Sequence, residues 1–144
     1  MTSQNEMKGI QGWIVRRLGG FPVDTDNPSV ATFKFSIDLL VRGEMLAIFP
    51  EGNIFRGNEL HPLKKGLTRI AVQAYSAAPD RDIKVIPIHF QYSDVLPKMG
   101  SSVKILIGEP LLASGYAGKS NKKAAEAMHQ DLEKSLQNLI AKVS

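Results

Sequence analysis

Apolar residues recur along the chain at two periods, and the switches between them divide it into elements. Over residues 7–18, Ile10, Trp13, Ile14, Val15 and Leu18 fall close to helical spacing, with Arg16 and Arg17 near the carboxyl end, where cations suit the helix dipole. Gly19 and Gly20 stop that helix, and residues 20–24 read as a short extended piece. Asp26-Asn27-Pro28 is a helix-start signal with proline at the first helical position. The helix it opens runs to about Arg42, carries Val30, Phe33, Ile37, Leu40 and Val41 on one stripe, and ends at Gly43. Residues 45–49, Met-Leu-Ala-Ile-Phe, are an apolar run of strand length, closed by Pro50, which has no N–H to give to a ladder.

Beyond Pro50 comes a polar loop, then a helix from Gly66 to Ala78 that turns Leu67, Ile70, Ala71 and Ala74 inward and stops before Pro79. Residues 83–90 are β-rich, and Pro87 within them implies an edge position or a bulge. Residues 102–108 alternate into another strand, closed by Glu109-Pro110. A last helix over residues 121–142 sets Ala125, Met128, Leu132, Leu136, Leu139 and Val143 on one face and charges on the other, which makes it a cover for the core. The strand, helix, strand order around residues 20–49 predicts a βαβ unit with a right-handed crossover and parallel pairing. The fold class expected is α/β, a mixed, mostly parallel sheet flanked by helices.

At 144 residues the chain is a single domain by length, with room for one site. Its 43% hydrophobic and 22% charged residues are those of an ordinary globular protein. Without cysteine there is no disulfide framework, thiolate zinc site or cysteine nucleophile, and the composition fits a reducing, cytoplasmic compartment. No apolar run reaches the roughly 18 to 20 residues that span a bilayer, and the polar start has no signal-peptide profile. A net charge of +4 favours anionic partners, whether phosphate-bearing substrates, acidic carrier proteins or a lipid surface touched peripherally. Nucleic acid is excluded, because no basic run is interleaved with aromatics.

The chemistry concentrates between residues 45 and 71. Glu51 follows a strand's carboxyl end, the edge of an α/β sheet at which ligands bind. Gly52 and Gly57 allow tight turns or a ligand's close approach, while Arg56, Lys64 and Lys65 supply cations for an anion such as a phosphate. The helix opening at Gly66 points its unpaired N–H groups toward the same loop. A solvated pair of lysines reads equally well from spacing alone. Glu51 itself is expected to fix the loop by accepting nearby N–H groups.

Phe49-Pro50-Glu51-Gly52, then Arg56, then Lys64 and Gly66, resembles the third conserved block of the glycerolipid acyltransferases, the 1-acylglycerol-3-phosphate acyltransferases and their relatives. That block reads roughly Phe-Pro-Glu-Gly-Thr-Arg-Ser-Arg, with Lys-x-Gly at a helix start about ten residues on. Asn53, Ile54 and Phe55 stand here where the family has Thr, Arg and Ser, so the first arginine is missing. Gly20-Phe21-Pro22-Val23-Asp24 is similar to the second block, with Thr25 in place of its arginine, and residues 85–88 to the fourth. The resemblance implies transfer of a fatty acyl group from acyl-CoA, acyl-carrier protein or acyl phosphate to a lysophospholipid acceptor, in phospholipid biosynthesis, at a membrane surface and without a cofactor. It implies that Glu51, Gly52, Arg56, Lys64, Lys65 and Gly66 bind substrate.

The family's catalytic block, Asn-His-x-x-x-x-Asp, belongs ahead of the second block, and no histidine precedes His61. The expectation is therefore the later part of a glycerolipid acyltransferase-like domain, amino-terminally shortened, with no catalytic residue of its own; the alternative is a non-catalytic phosphate- or lipid-binding remnant. His89 and Asp94 have His-x-x-x-x-Asp spacing but lack the preceding Asn and lie on the fourth-block strand, which makes them weak candidates. His61 and His129 have weaker claims, and no cluster of His, Asp or Glu has metal-ligand spacing. Arg56→Ala is expected to weaken binding of glycerol 3-phosphate by ~1.5–3 kcal/mol in a calorimetric titration, the range for a charge-assisted hydrogen bond. Its thermal melt should stay that of the parent, and parent-like binding with lost stability would make the loop a structural corner.

Overall fold

The structure is a computed structural model, and it describes residues 2–3, 17, 22–23, 29–52, 60–94 and 100–142. The expected helix over residues 7–18 lies outside that set apart from a helical Arg17, as do Asp24, Thr25, the Asp26-Asn27-Pro28 signal, Arg56 and Val143.

Three helices carry the core. Helix α1, Val30–Val41, starts at Ser29, whose Oγ accepts from the Thr32 backbone N–H at 3.1 Å. Asp26 and Asn27 thus give way to a serine that offers the same oxygen closer to the first turn. Gly43 follows at φ +86, the left-handed exit that glycine takes without penalty. Helix α2, Gly66–Ala77, buries Thr68, Ile70, Ala71, Val72 and Ala74, a wider band than one stripe, because it lies against both α1 and α3. Helix α3, Asn121–Ala141, buries Ala125, Met128, Leu132, Leu136 and Leu139, the face its periodicity predicted. The two polar groups buried deepest on α1 and α2 stay local: Ser36 Oγ donates to the Thr32 carbonyl at 2.9 Å and Thr68 Oγ1 to the Lys65 carbonyl at 3.3 Å.

The strands depart from the expected sheet. Among the described residues there are three two-stranded ladders. Two are antiparallel: β3 (Lys84–Val85) with β6 (Leu111–Leu112), and β4 (Ile88–Tyr92) with β5 (Val103–Ile107). The parallel one is two residues long, β1 (Thr2–Ser3) with β2 (Pro22–Val23). A mostly parallel sheet is therefore not what forms. Residues 45–49 form no strand and enter none of these ladders; Met45 is 96% and Phe49 72% exposed, while Leu46 and Ile48 are half-buried. An apolar run announces an extended segment without naming its partner or direction. Residues 84–92 and 103–112 lie close in sequence, so pairing them costs less chain entropy than a crossover does.

These four short strands are one bent hairpin. The register passes from Val85 opposite Leu111 to Ile88 opposite Ile107, so Ile86 and Pro87 face Gly108, Glu109 and Pro110, two residues against three. That is the bulge implied by Pro87, which keeps its place by accepting the Gly108 N–H at 2.9 Å. A Cβ on Gly108 would lie 3.2 Å from Ser135 Oγ and 3.3 Å from Leu139 Cδ1, so glycine here lets the bulge approach α3. One side of the hairpin, with Val85 and Pro87, turns to the core. The other presents Ile88, Phe90 and Tyr92 opposite Ile107, Ile105 and Val103, each 42–67% exposed, a continuous apolar face.

A 3₁₀ turn, Ala113–Tyr116, joins the hairpin to α3, and Tyr116 Oη donates to Asp131 Oδ2 at 2.8 Å. Burial first, then this bond and the Asp131 charge, push the phenol up to about 12. The folded chain holds that proton to higher pH than the unfolded chain, so the contribution is whole below about pH 10 and disappears as pH rises to about 12. The urea midpoint is expected to fall across that interval more steeply in the parent than in Tyr116→Phe. Parallel curves would show that the phenol carries no linkage.

Candidate functional site

The corner after residues 45–49 is held by backbone. Gly52 N–H donates to the Phe49 carbonyl at 3.2 Å, closing a turn, and Lys64 N–H donates to the Pro50 carbonyl at 2.7 Å, bringing the far end of the loop back to the corner. Residues 50–52 and 64–66 are thereby neighbours, as the motif spacing requires. Glu51 is half-buried at this corner, and among the described residues the two backbone bonds above hold the turn.

Gly52 sits at φ +76, and a Cβ built on it would stand 2.7 Å from Lys64 Cε and 3.1 Å from Lys64 Nζ. The Lys64 stem therefore lies across the bare face of Gly52, which places an ammonium at the corner. Gly66, the first residue of α2, has open space where a Cβ would be.

Lys65 goes elsewhere. Its ammonium forks onto both carboxylate oxygens of Glu126 in α3, at 2.8 and 2.9 Å, with both side chains about half exposed. The bond from Lys65 holds the Glu126 carboxyl below the usual range, and the charges of Lys65, His129 and Arg69 add to that. The sequence expectation treated the two lysines alike; the fold separates them. Glu126 was missed because 61 residues divide it from Lys65 and no local pattern ties them.

The other candidates are not brought together. Asp94 is exposed and capped by hydroxyls, Ser101 Oγ at 2.7 Å and Ser93 Oγ at 2.9 Å, which hold its carboxyl below the ordinary range. His89 lies on the inward side of β4, and its Nε2 is buried without a hydrogen-bond partner. Asp94 lies two residues beyond the end of β4, in the bend that ends the hairpin, and no described hydrogen bond joins it to His89. His129 is buried on α3 with Nε2 3.3 Å from Glu133 Oε1, and His61 is half-buried beside Pro62. Among the described residues, no group of three or more His, Cys, Asp or Glu is placed to hold a metal, and no helix is long and apolar enough to cross a membrane.

A family model described as Acyltransferase matches residues 1–91, which includes the whole corner. The chain belongs to the acyltransferase family. It is similar to a 1-acyl-sn-glycerol-3-phosphate acyltransferase of Bacillus subtilis, 34% identical over 131 residues, 89% of this chain and 61% of that protein. A Streptococcus pneumoniae protein of the same name is 26% identical over 133 residues, 90% of this chain and 46% of its own length. Glycerol-3-phosphate O-acyltransferase 2 of Saccharomyces cerevisiae is 28% identical over 115 residues, 78% of this chain and 15% of its own. The acyltransferase chain thus spans 61% of the Bacillus subtilis relative's length and less than half of the other two. No solved structure matches it.

Gly52→Ala is expected to lower stability by ~1–2 kcal/mol in denaturant unfolding, the cost of a left-handed backbone for a residue with a Cβ. The loss should persist in a Lys64→Ala background, because the flexible lysine stem yields while φ does not. A loss that vanishes there would make the side-chain contact, not the backbone, the constraint.

Proposed function

We propose that this chain provides the acceptor-binding part of a glycerolipid acyltransferase, which moves a fatty acyl group from acyl-CoA, acyl-carrier protein or acyl phosphate to a lysophosphatidate-like acceptor in phospholipid synthesis. The observation that carries this reading is the Phe49-Pro50-Glu51-Gly52 corner fastened to the start of α2, with Lys64 laid over Gly52. A phosphate set there meets an ammonium and the positive end of a helix at once, and the open face of Gly66 lets it come near the N–H groups. Arg56, on the loop the corner closes, is the second cation proposed for it. The names of the relatives agree with an acceptor that bears a glycerol phosphate.

The hydroxyl attack in such a transfer needs a general base within hydrogen-bond reach. The sequence has no Asn-His-x-x-x-x-Asp, and Asp94 is bonded to Ser93 and Ser101, so binding rather than proton transfer is the part assigned to these residues. Positioning the acceptor phosphate fixes the hydroxyl's approach to the acyl carbonyl. The apolar hairpin face and the net charge of +4 support contact with an anionic lipid surface, on the cytoplasmic side where acyl carriers are found.

Calorimetric titration with glycerol 3-phosphate against glycerol tests the reading. Preference for the phosphate, weakened by ~1.5–3 kcal/mol in Lys64→Ala, is expected. Equal affinity for the two overturns it. Mixed with lysophosphatidate and acyl-CoA or acyl-carrier protein, the chain alone should show no transfer, because a general base contributes roughly 10²–10⁴-fold. Turnover abolished by His89→Ala would return catalysis to this chain.

A further inference from the structure

Two adjacent lysines at the start of α2 have opposite fates, and the cause of the difference lies on α3. Their Cα atoms are about 3.8 Å apart, so Lys65 is as close to the corner along the chain as Lys64 nearly is. Lys64 lies over Gly52, whereas Lys65 is drawn to Glu126 by two short hydrogen bonds. The side chains of Lys65 and Glu126 are both about half exposed. The carboxylate is the one described partner that fixes its direction.

We propose that Glu126 is a positioning residue that keeps Lys65 turned away from the acceptor's phosphate, so that α3 sets how much positive charge the site presents. The inference rests on the acceptor-site reading above and adds a residue that the motif does not contain. Its chemical consequence is selectivity by charge. With Lys65 paired to Glu126 its charge is withheld from the corner; with Lys65 released, the corner gains a mobile cation that favours more highly charged anions. Arg69, one turn further along α2, contributes to the potential at Glu126, so the carboxylate stays ionised and the pairing persists across neutral pH.

The test uses the full chain as parent, Glu126→Gln, Lys65→Met and the double variant, titrated with glycerol 3-phosphate and with inorganic pyrophosphate, with thermal melts alongside. Glu126→Gln is expected to tighten glycerol 3-phosphate roughly two- to five-fold, the range of an exposed pair, and pyrophosphate by more. Both gains should vanish in the double variant and shrink in high salt. A separate readout does not depend on any ligand: by carboxyl NMR titration, Glu126 should move toward ordinary glutamate behaviour in Lys65→Met. Parent binding of glycerol 3-phosphate with no gain in Glu126→Gln, or a gain that survives loss of Lys65, overturns this inference alone. An unmoved Glu126 titration also overturns it, by showing no pairing in solution. Absence of glycerol 3-phosphate binding in every variant overturns the acceptor-site reading and the charge-setting role together, while a shifted Glu126 titration would then leave the pair a purely structural tie.

Discussion

Helix Gly66–Ala77 is wedged between α1 and α3, and its burial determines where its amino end points. Ala71 and Ala74 are almost wholly inaccessible, and such small side chains let helix axes come within about 8–10 Å. A helix held on two sides cannot swing without opening both contacts. Its first turn is therefore a fixed platform, and the Lys64 N–H to Pro50 bond fastens the loop to it. Ser76 Oγ, bonded to Asn121 Oδ1 at 3.1 Å, and Lys65, bonded to Glu126, tie the two ends of α2 to the first turns of α3. The corner inherits its geometry from the core, although it is itself at the surface.

Helices were legible in the sequence because their burial repeats every three or four residues and needs no distant information. On α3 every expected residue from Ala125 to Leu139 is buried, and on α2 Ile70, Ala71 and Ala74 are buried with Leu67 half-buried. On α1 the stripe held at Ile37, Leu40 and Val41 but not at Val30, which is 73% exposed in the first turn, ahead of the packed region. The sequence offers Asp26, Asn27 and Ser29 as cap-forming residues within four positions, and Ser29 is the one that caps α1. The sheet was the opposite case. Strand pairing is a relation between distant segments, and the run at residues 45–49 has the pattern of a buried strand while Met45 and Phe49 face solvent. The bulge was readable because Pro87 states a local prohibition: it has no N–H to donate.

For the site, the motif named the corner and the structure supplied its sorting. Spacing told that Glu51, Gly52, Lys64 and Gly66 belong together, and the Lys64 N–H to Pro50 bond is how. The Lys-x-Gly spacing picks out Lys64, but nothing in it tells where Lys65 goes, since a helix start lets consecutive side chains diverge. The divergence is decided by a carboxylate on another helix. Likewise the His-x-x-x-x-Asp spacing of His89 and Asp94 would be a pair on a different backbone, but here His89 is on β4 and Asp94 is in the bend beyond its end. Asp94 instead finishes the hairpin end, taken by Ser93 and Ser101.

That sorting bears on how an anion would be held. A lysine on a free stem must be ordered when a ligand arrives, which costs side-chain entropy. Lys64 is already laid over Gly52, and that contact is possible because residue 52 has no side chain. The helix N–H groups are oriented by the chain itself, so they need no reorganisation either. An arrangement of this kind relies on fixed direction more than on the number of charges. Adding a loose cation beside it would strengthen attraction to any anion while relaxing the choice among them, and pairing Lys65 with Glu126 removes that loose cation from the first turn.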